Sequence, residues 1–288
     1  MMWGLVLHGG AGEWREPRLP AALAGLRAAA KRARRSLSAG ATALDVVCEA
    51  VVALEDDPVF NAGTGSVLNR DGEVEMDASV MSGADLSFGA VGALAGVRNP
   101  VVVARCVMER SDHALLVGAG ALRFAREHGF AQYDPITEAA RKDFLARSRP
   151  APAGTVGAVA LDRDGRLAAA TSTGGVSMKL PGRVGDSALP GAGTFAGPSG
   201  AVSATGKGEL MMRVLAAKRI YDLIAAGNVA QNAVTQMLSE MRGSVGAEAG
   251  FIALARDGSI GIGHDTAAMV HAWCSGAQPD IHVSAKTA

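Results

Sequence analysis

The stretch Gly154-Thr155-Val156-Gly157-Ala158-Val159-Ala160-Leu161-Asp162, continued by Arg163-Asp164-Gly165-Arg166 and Leu167-Ala168-Ala169-Ala170-Thr171-Ser172-Thr173, decides how the rest of the chain is read. Two β-prone apolar runs flank an Asp-Arg-Asp-Gly turn whose glycine is free to take positive φ, so 156–161 and 167–172 form a hairpin. In that register the end of the second strand returns beside the start of the first, and Thr173 lies close to Thr155. Thr155 has two readings. As a β-branched residue it suits the first position of a strand. As the residue after a cut at Gly154–Thr155, it would carry a hydroxyl nucleophile and, on its new α-amine, a base of pKa about 7.7 to 8.0. The preceding RSRPAPAG at 147–154 is basic and Pro-containing, which makes 128–154 a mobile linker and leaves the Gly154–Thr155 bond accessible.

Composition narrows the function classes. The chain has 288 residues, 49% of them hydrophobic, enough to bury a large core. Lys plus Arg and Asp plus Glu are 28 each, so no overall basic field exists to hold nucleic acid or an anionic membrane. Aromatic residues are only 4%, too few for a base-stacking platform, and the expected ligand is a small molecule. Cys48, Cys106 and Cys274 are far apart, which argues against a zinc knuckle or disulfide framework and fits a reducing cytoplasm. The amino terminus lacks a basic leader with a long apolar core, and later apolar runs are broken by Gly or charge, so a chain neither exported nor membrane-spanning is expected.

Outward from the hairpin, toward the amino terminus, 5–7 reads as a buried strand entering a glycine loop, His8-Gly9-Gly10-Ala11-Gly12. His8 reads as a hydrogen-bonded core histidine ahead of a catalytic one. Residues 19–37 form an amphipathic helix, and Thr42 caps a second helix through Leu54. Pro58 then breaks the pattern and leaves Asn61 in irregular chain. The acids Glu55, Asp56 and Asp57 lack EF-hand spacing, which argues against calcium coordination by side chains. A hairpin of 66–69 with 73–81 follows, its second strand alternating Val74, Met76, Ala78 and Val80 with Glu73, Glu75, Asp77 and Ser79. Those carboxylates read either as an acid–base pair or as turn and salt-bridge partners. Residues 87–97 read as a strand covered on both faces. Pro100 opens a helix, Ser111 or Asp112 caps another running to 127, and one or two helical turns fall at 137–145.

On the carboxyl side, Arg183 and Asp186 stand three residues apart in a loop. They read as a surface ion bridge or as a clamp for a zwitterion, guanidinium to α-carboxylate and carboxylate to α-ammonium. Strand 201–204 leads through Thr205-Gly206-Lys207-Gly208-Glu209 into a long helix to about 226, a turn whose N–H groups suit an oxyanion. Its spacing is wrong for a P-loop, and Gly208 stands where Ser or Thr is needed. A helix at 230–241 and strands at 251–255, 259–263 and 269–273 complete an antiparallel sheet.

The motifs HGGAG at 8–12, FNAGTGSV at 60–67, EMDASVMSG at 75–83, TVGAVALD at 155–162, TSTGG at 171–175, GRVGDS at 182–187 and TGKGE at 205–209 together resemble the plant-type (type III) asparaginases and isoaspartyl peptidases, N-terminal nucleophile hydrolases. The resemblance runs in order over essentially the whole chain. It implies an α+β fold, a four-layer αββα sandwich of mostly antiparallel sheets in a single domain over 1–288. Self-cleavage between Gly154 and Thr155 would give an α chain of 1–154 and a β chain of 155–288. It further implies Thr155 as nucleophile with its freed amine as base, Thr173 as its hydrogen-bond partner, and Arg183 and Asp186 as the substrate clamp with Gly208 nearby. Thr205 and Gly206 would form the oxyanion hole, while Asn61 and the loop His8, Gly9 and Gly10 line the nucleophile's other side.

The same resemblance implies no cofactor for catalysis and a structural sodium on backbone carbonyls of Leu54, Glu55, Asp57, Phe60, Ala62 and Thr64. The assembly it implies is a dimer of αβ units, and the reaction is hydrolysis of asparagine or β-aspartyl dipeptides. A glycosylasparaginase and an amino-acid-binding homologue that never processes are the alternatives. Two positions depart from the family pattern: Lys207 where many relatives have a second Thr in TGTGE, and Ser82 in place of the Asp of MDG.

Overall fold

The computed structural model describes residues 2–14, 16–146 and 154–286. The first half runs β1 (Gly4–Gly12), α1 (Arg18–Ser38), α2 (Ala43–Glu55), β2 (Met76–Ser82), β3 (Phe88–Leu94), α3 (Pro100–Arg110), β4 (Leu115–Val117), α4 (Gly118–Glu127) and α5 (Glu138–Leu145). The second runs β5 (Val156–Leu161), β6 (Leu167–Thr173), β7 (Thr194–Gly197), β8 (Gly200–Gly206), α6 (Gly208–Val214), α7 (Ala216–Ala225), α8 (Ala230–Val245), β9 (Ala249–Ala255), β10 (Ile260–His264), β11 (Ala268–Ser275) and β12 (His282–Ser284).

These elements build an α+β, four-layer αββα sandwich. One sheet has the order β12-β11-β1-β5-β6-β2-β3-β4, the other β10-β9-β8-β7, and β3 with β4 is the parallel pair in an otherwise antiparallel arrangement. Helices α1, α2 and α3 cover the outer face of the large sheet through Leu26, Leu37, Val47, Leu54 and Val101. Helices α7 and α8 cover the small sheet, Ile220 and Met237 sharing one apolar layer with Phe251 of β9. Between the sheets lies a third apolar layer of Val6, Met81, Val159, Ile252, Leu254 and Met269. Because β5 and β6 are covered on both faces, their alternation is lost and every residue of both strands is buried.

Local chemistry explains the elements that match the sequence reading. Thr42 caps α2 by accepting from the Asp45 N–H, Thr137 caps α5 from Ala140, and Pro100 occupies the first turn of α3. The central hairpin has the expected register, Val156 opposite Ser172 and Leu161 opposite Leu167.

Elsewhere tertiary packing overrides the local signal. His8–Gly12 is strand rather than loop, paired with β11 through an irregularity between His8 and Ala11. Residues 66–69 make no strand, although the turn survives as Asn69 N–H to the Glu73 carbonyl (2.8 Å); β2 pairs instead with β3 and β6. Ser111 and Asp112 do not start the next helix: Ser111 ends α3, its hydroxyl donating to the Val107 carbonyl (2.8 Å), and β4 intervenes before α4 starts at Gly118. The long helix after Gly208 is broken at Leu215, whose φ of 49° ends α6 before α7 begins. The strand predicted over 269–273 joins the large sheet, not the sheet of β9 and β10.

The linker expectation divides. Residues 138–145 are helical, 147–153 lie outside the described residues, and Gly154 is buried, so the Gly154–Thr155 bond is not exposed as its flanking composition predicts. Gly154 packs so closely on the Gly9–Gly10 backbone that a Cβ there would collide with the Gly9 carbonyl oxygen. This is a position for glycine by close approach rather than by φ.

Candidate active site

A cavity of ≈ 190 Å³ opens where the carboxyl ends of β6 and β8 meet the end of β1. Thr155, Thr173, Arg183, Asp186, Thr205, Gly206 and Lys207 all face it. The hairpin register brings Thr155 Oγ1 to within 3.2 Å of Thr173 Oγ1, which also accepts from the Gly175 N–H at 2.9 Å. Thr205 is 2% exposed, and its Oγ1 accepts from the Ala11 N–H at 3.3 Å, an arrangement that leaves the hydroxyl proton free to donate into the cavity. Gly206 follows with a φ of 152°.

Opposite these hydroxyls stands a charged pair. Arg183 donates from Nε to Glu209 Oε1 at 2.8 Å, while its guanidinium lies among Gly175, Gly185 and Gly208, and a Cβ at Gly185 or Gly208 would crowd it at 2.6 and 2.9 Å. A Cβ at Gly208 would stand 2.5 Å from Asp186 Oδ1 and 2.9 Å from Arg183 Nη2, so glycine is what keeps the pair open to the cavity. Asp186 is 5% exposed and its Oδ2 has no hydrogen-bond partner among the described residues. Burial pushes its pKa up to about 7, against the pull of Arg183. That orphan oxygen lies on the Gly193 side, while Oδ1 stands beside Gly208; a carboxyl group so short of partners gains from an ammonium brought to it.

Two acids outside the set of expected site residues hold this loop. Asp77, on β2, accepts from the Gly185 N–H (2.8 Å) and from the Ala93 N–H (2.8 Å), the latter at a left-handed residue of φ 46°. Glu75 accepts from the Gly182 N–H at 3.0 Å, and its carbonyl accepts from the buried Lys179 ammonium at 2.6 Å. The alternating acids of 73–79 therefore take the bracing reading, not the acid–base one. Glu209, within the TGKGE motif, is the other contributor that spacing alone did not single out.

His8 and Asn61 act at one remove. His8 Nε2 lies 2.9 Å from Ser203 Oγ, and burial pushes the imidazole down to about 3, more than the adjacent Thr155 backbone pulls it up. It is a neutral core histidine, as its first reading held. From it a file of hydroxyls crosses the inter-sheet layer: Ser203 Oγ lies 2.7 Å from Thr171 Oγ1, Thr194 donates to Thr171 (2.6 Å), and Ser79 has both Thr194 Oγ1 (2.8 Å) and the Ser187 carbonyl (2.6 Å) as acceptors. Asn61 donates to the Gly175 carbonyl (2.8 Å) and accepts from the Val67 N–H (2.9 Å), so it braces the turn after Thr173 and does not face the cavity. A larger recess of ≈ 830 Å³ beside α5 is lined in part by Asn61 and contains neither Thr155 nor the Arg183–Asp186 pair.

The 54–64 loop closes on itself through the Thr64 N–H to the Glu55 carbonyl (2.8 Å). The Leu54 and Asp57 carbonyls also accept backbone N–H groups, from Asp57 and Phe60. Among the described residues no cluster of three or more His, Cys, Asp or Glu is arranged to hold a metal through side chains, and no helix is long and apolar enough to cross a membrane.

The family profile described as asparaginase (Asparaginase_2) matches residues 1–153 and 145–283. The chain is 43% identical to the plant-type L-asparaginase of Thermococcus kodakarensis, over 94% of this chain and 96% of that one. It is 41% identical to the isoaspartyl peptidase of Escherichia coli (93% and 92% covered) and 40% identical to the isoaspartyl peptidase/L-asparaginase of Xenopus laevis (97% and 94%). With a matching profile across both halves and relatives aligned nearly end to end, the chain belongs to the asparaginase family.

Proposed function

We propose that this protein hydrolyses the side-chain amide of L-asparagine and the isopeptide bond of β-aspartyl dipeptides, using Thr155 as an amino-terminal nucleophile freed by cleavage at Gly154–Thr155. The observation that carries the reading is the single cavity in which Thr155 and Thr173 face a buried, unpaired Asp186 beside Arg183. An α-amino acid fits that pair, carboxylate on the Arg183 guanidinium and ammonium on Asp186, with its side-chain carbonyl directed at Thr155.

In the reaction the freed amine of Thr155 takes the proton from its own hydroxyl while Oγ1 attacks the carbonyl carbon. Negative charge gathers on the substrate oxygen, where the Thr205 hydroxyl and the Gly206 N–H are the donors. The ammonium then protonates the departing nitrogen, releasing ammonia or an amino acid and leaving a β-aspartyl ester on Thr155. Water, deprotonated by the same amine, hydrolyses that ester to aspartate and restores the hydroxyl. Thr173 orients the nucleophile; Asn61 and the Gly9–Gly10 backbone hold the segments on either side of it.

A structural sodium in this reading would sit on the carbonyls of Leu54, Glu55, Asp57, Phe60, Ala62 and Thr64, of which those of Leu54, Glu55 and Asp57 each already accept one backbone N–H and would use their second lone pair. Such an ion would fix the loop that carries Asn61 and take no part in bond making. A dimer of αβ units in the cytoplasm belongs to the same reading, and the buried thiols of Cys48 and Cys274 are in keeping with a reducing compartment.

Denaturing electrophoresis with an amidase assay tests the proposal. The wild-type chain of 29.2 kDa converts to two fragments as aspartate-forming activity appears, and Thr155→Ala stays whole and inactive. A cleaved, active Thr155→Ala protein would overturn it.

A further inference from the structure

Among the described residues Lys207 is the one lysine lining the ≈ 190 Å³ cavity, and the reaction proposed above leaves it without a task. It is exposed at the start of α6, immediately after Gly206, and its ammonium enters no ion pair among the described residues. Its position within the cavity is constrained by the two ends already described. The Arg183–Asp186 pair takes the α-amino acid head, and Thr205 and Gly206 take the carbonyl oxygen. The departing nitrogen of a bound β-aspartyl group then points toward the rest of the lining, where Gly175 and Val176 stand beside Arg183 and where Ala11, Gly12, Lys207, Glu248 and Thr266 form the wall that follows Gly206. Gly206 pairs with Ala249 across β8 and β9, which sets Lys207 and Glu248 on the same rim as one cation and one anion.

Asparagine and β-aspartyl dipeptides differ in what reaches that rim. Asparagine loses ammonia and presents nothing there. A β-aspartyl dipeptide loses an amino acid whose free α-carboxylate is three bonds or fewer from the scissile nitrogen. From these positions we infer that Lys207 is a specificity-determining residue that pairs with the α-carboxylate of the leaving amino acid and favours β-aspartyl dipeptides with a free carboxyl terminus. The inference rests on the substrate reading above. Lys207 makes and breaks no bond in it; the pair forms in the Michaelis complex and holds the leaving group in line as the carbon–nitrogen bond breaks. Glu248 on the same rim opposes a second negative charge, and among the described residues of that rim Lys207 is the cation that attracts the leaving carboxylate.

The test compares β-aspartyl-leucine with β-aspartyl-leucinamide, which lacks the terminal charge, on matured wild-type enzyme and on Lys207→Met and Lys207→Arg. A partly exposed, charge-assisted pair corresponds to about a tenfold preference in kcat/KM for the free acid in the wild type. The preference falls with added salt, is kept by Lys207→Arg, and drops to one or below in Lys207→Met, where Glu248 acts alone. Because each figure is a ratio on one preparation, it is insensitive to the fraction of folded or processed enzyme. A wild type that cleaves both substrates equally, or a Lys207→Met enzyme that keeps the preference, overturns the inference; so does an equal loss on both substrates, which would place Lys207 with the oxyanion donors. If the wild type cleaves neither asparagine nor either dipeptide, the underlying substrate reading fails and the inference falls with it.

Discussion

Asp186 carries the sharpest conflict in the molecule: a buried carboxylate with one unpartnered oxygen, its pKa raised to about 7 by burial despite the neighbouring Arg183. A carboxyl group is neutral below its pKa, and a neutral Asp186 offers nothing to an ammonium. Asparagine binding therefore weakens as pH falls through about 7, with KM rising up to about tenfold per unit below it. Steady-state KM between about pH 5.5 and 8.5 reads this, and Asp186→Asn shows a high KM without that acid limb. An Asp186→Asn enzyme with wild-type KM and the same limb would remove the residue from the clamp. At this scale the sequence was legible by type and spacing: Thr155, Thr173, Arg183, Asp186 and Thr205 all fall in quoted motifs and all meet in one cavity. His8 and Asn61 fall in motifs too, yet their roles are supportive, since a motif identifies a residue without saying which way its side chain points.

Among the elements, β2 shows how an alternation can mislead and still be informative. Its acids appear solvent-directed when one face of the strand is apolar, but a second sheet covers that face, and Asp77 and Ser79 are both fully buried. Asp77 survives there because two backbone N–H groups satisfy it. Asp77→Asn turns one acceptor into a donor against an N–H, with a cost of about 1 to 3 kcal/mol. The expected outcome is a lower melting temperature together with a raised KM for asparagine, because the Gly185 N–H that Asp77 holds lies between Arg183 and Asp186. Loss of stability with an unchanged KM would show that the loop is set by other contacts. The left-handed break at Leu215 belongs to this scale as well: nothing in the local helical pattern marks it, and it is what lets α7 turn back over the small sheet.

For the molecule as a whole, the inter-sheet layer couples the two halves of the site. Thr155 and Thr173 stand on the large sheet and Thr205 on the small one, so their separation is fixed by how Val6, Val159, Ile252, Leu254 and Met269 fill the gap. Ile252 is fully buried in that layer, and Ile252→Ala should cost about 2 to 5 kcal/mol, read as a lower denaturant midpoint, with reduced kcat in the protein that remains folded. A stable variant with full kcat would mean that the sheets are held in place elsewhere. The sequence by itself determined the central hairpin, the capped helices and the ordered motifs that place the chain in its family, because these depend on propensity, capping and turn chemistry within a few residues. Only the tertiary structure decided that Gly154 is buried against Gly9, that Asp77 braces the clamp loop, that hydroxyls from four strands join His8 to Ser187, and that Lys207 lines the same cavity as Thr155. Each of those joins residues about a hundred or more positions apart, or depends on which wall of the cavity a side chain occupies, and local periodicity records a residue's face but not what lies across from it.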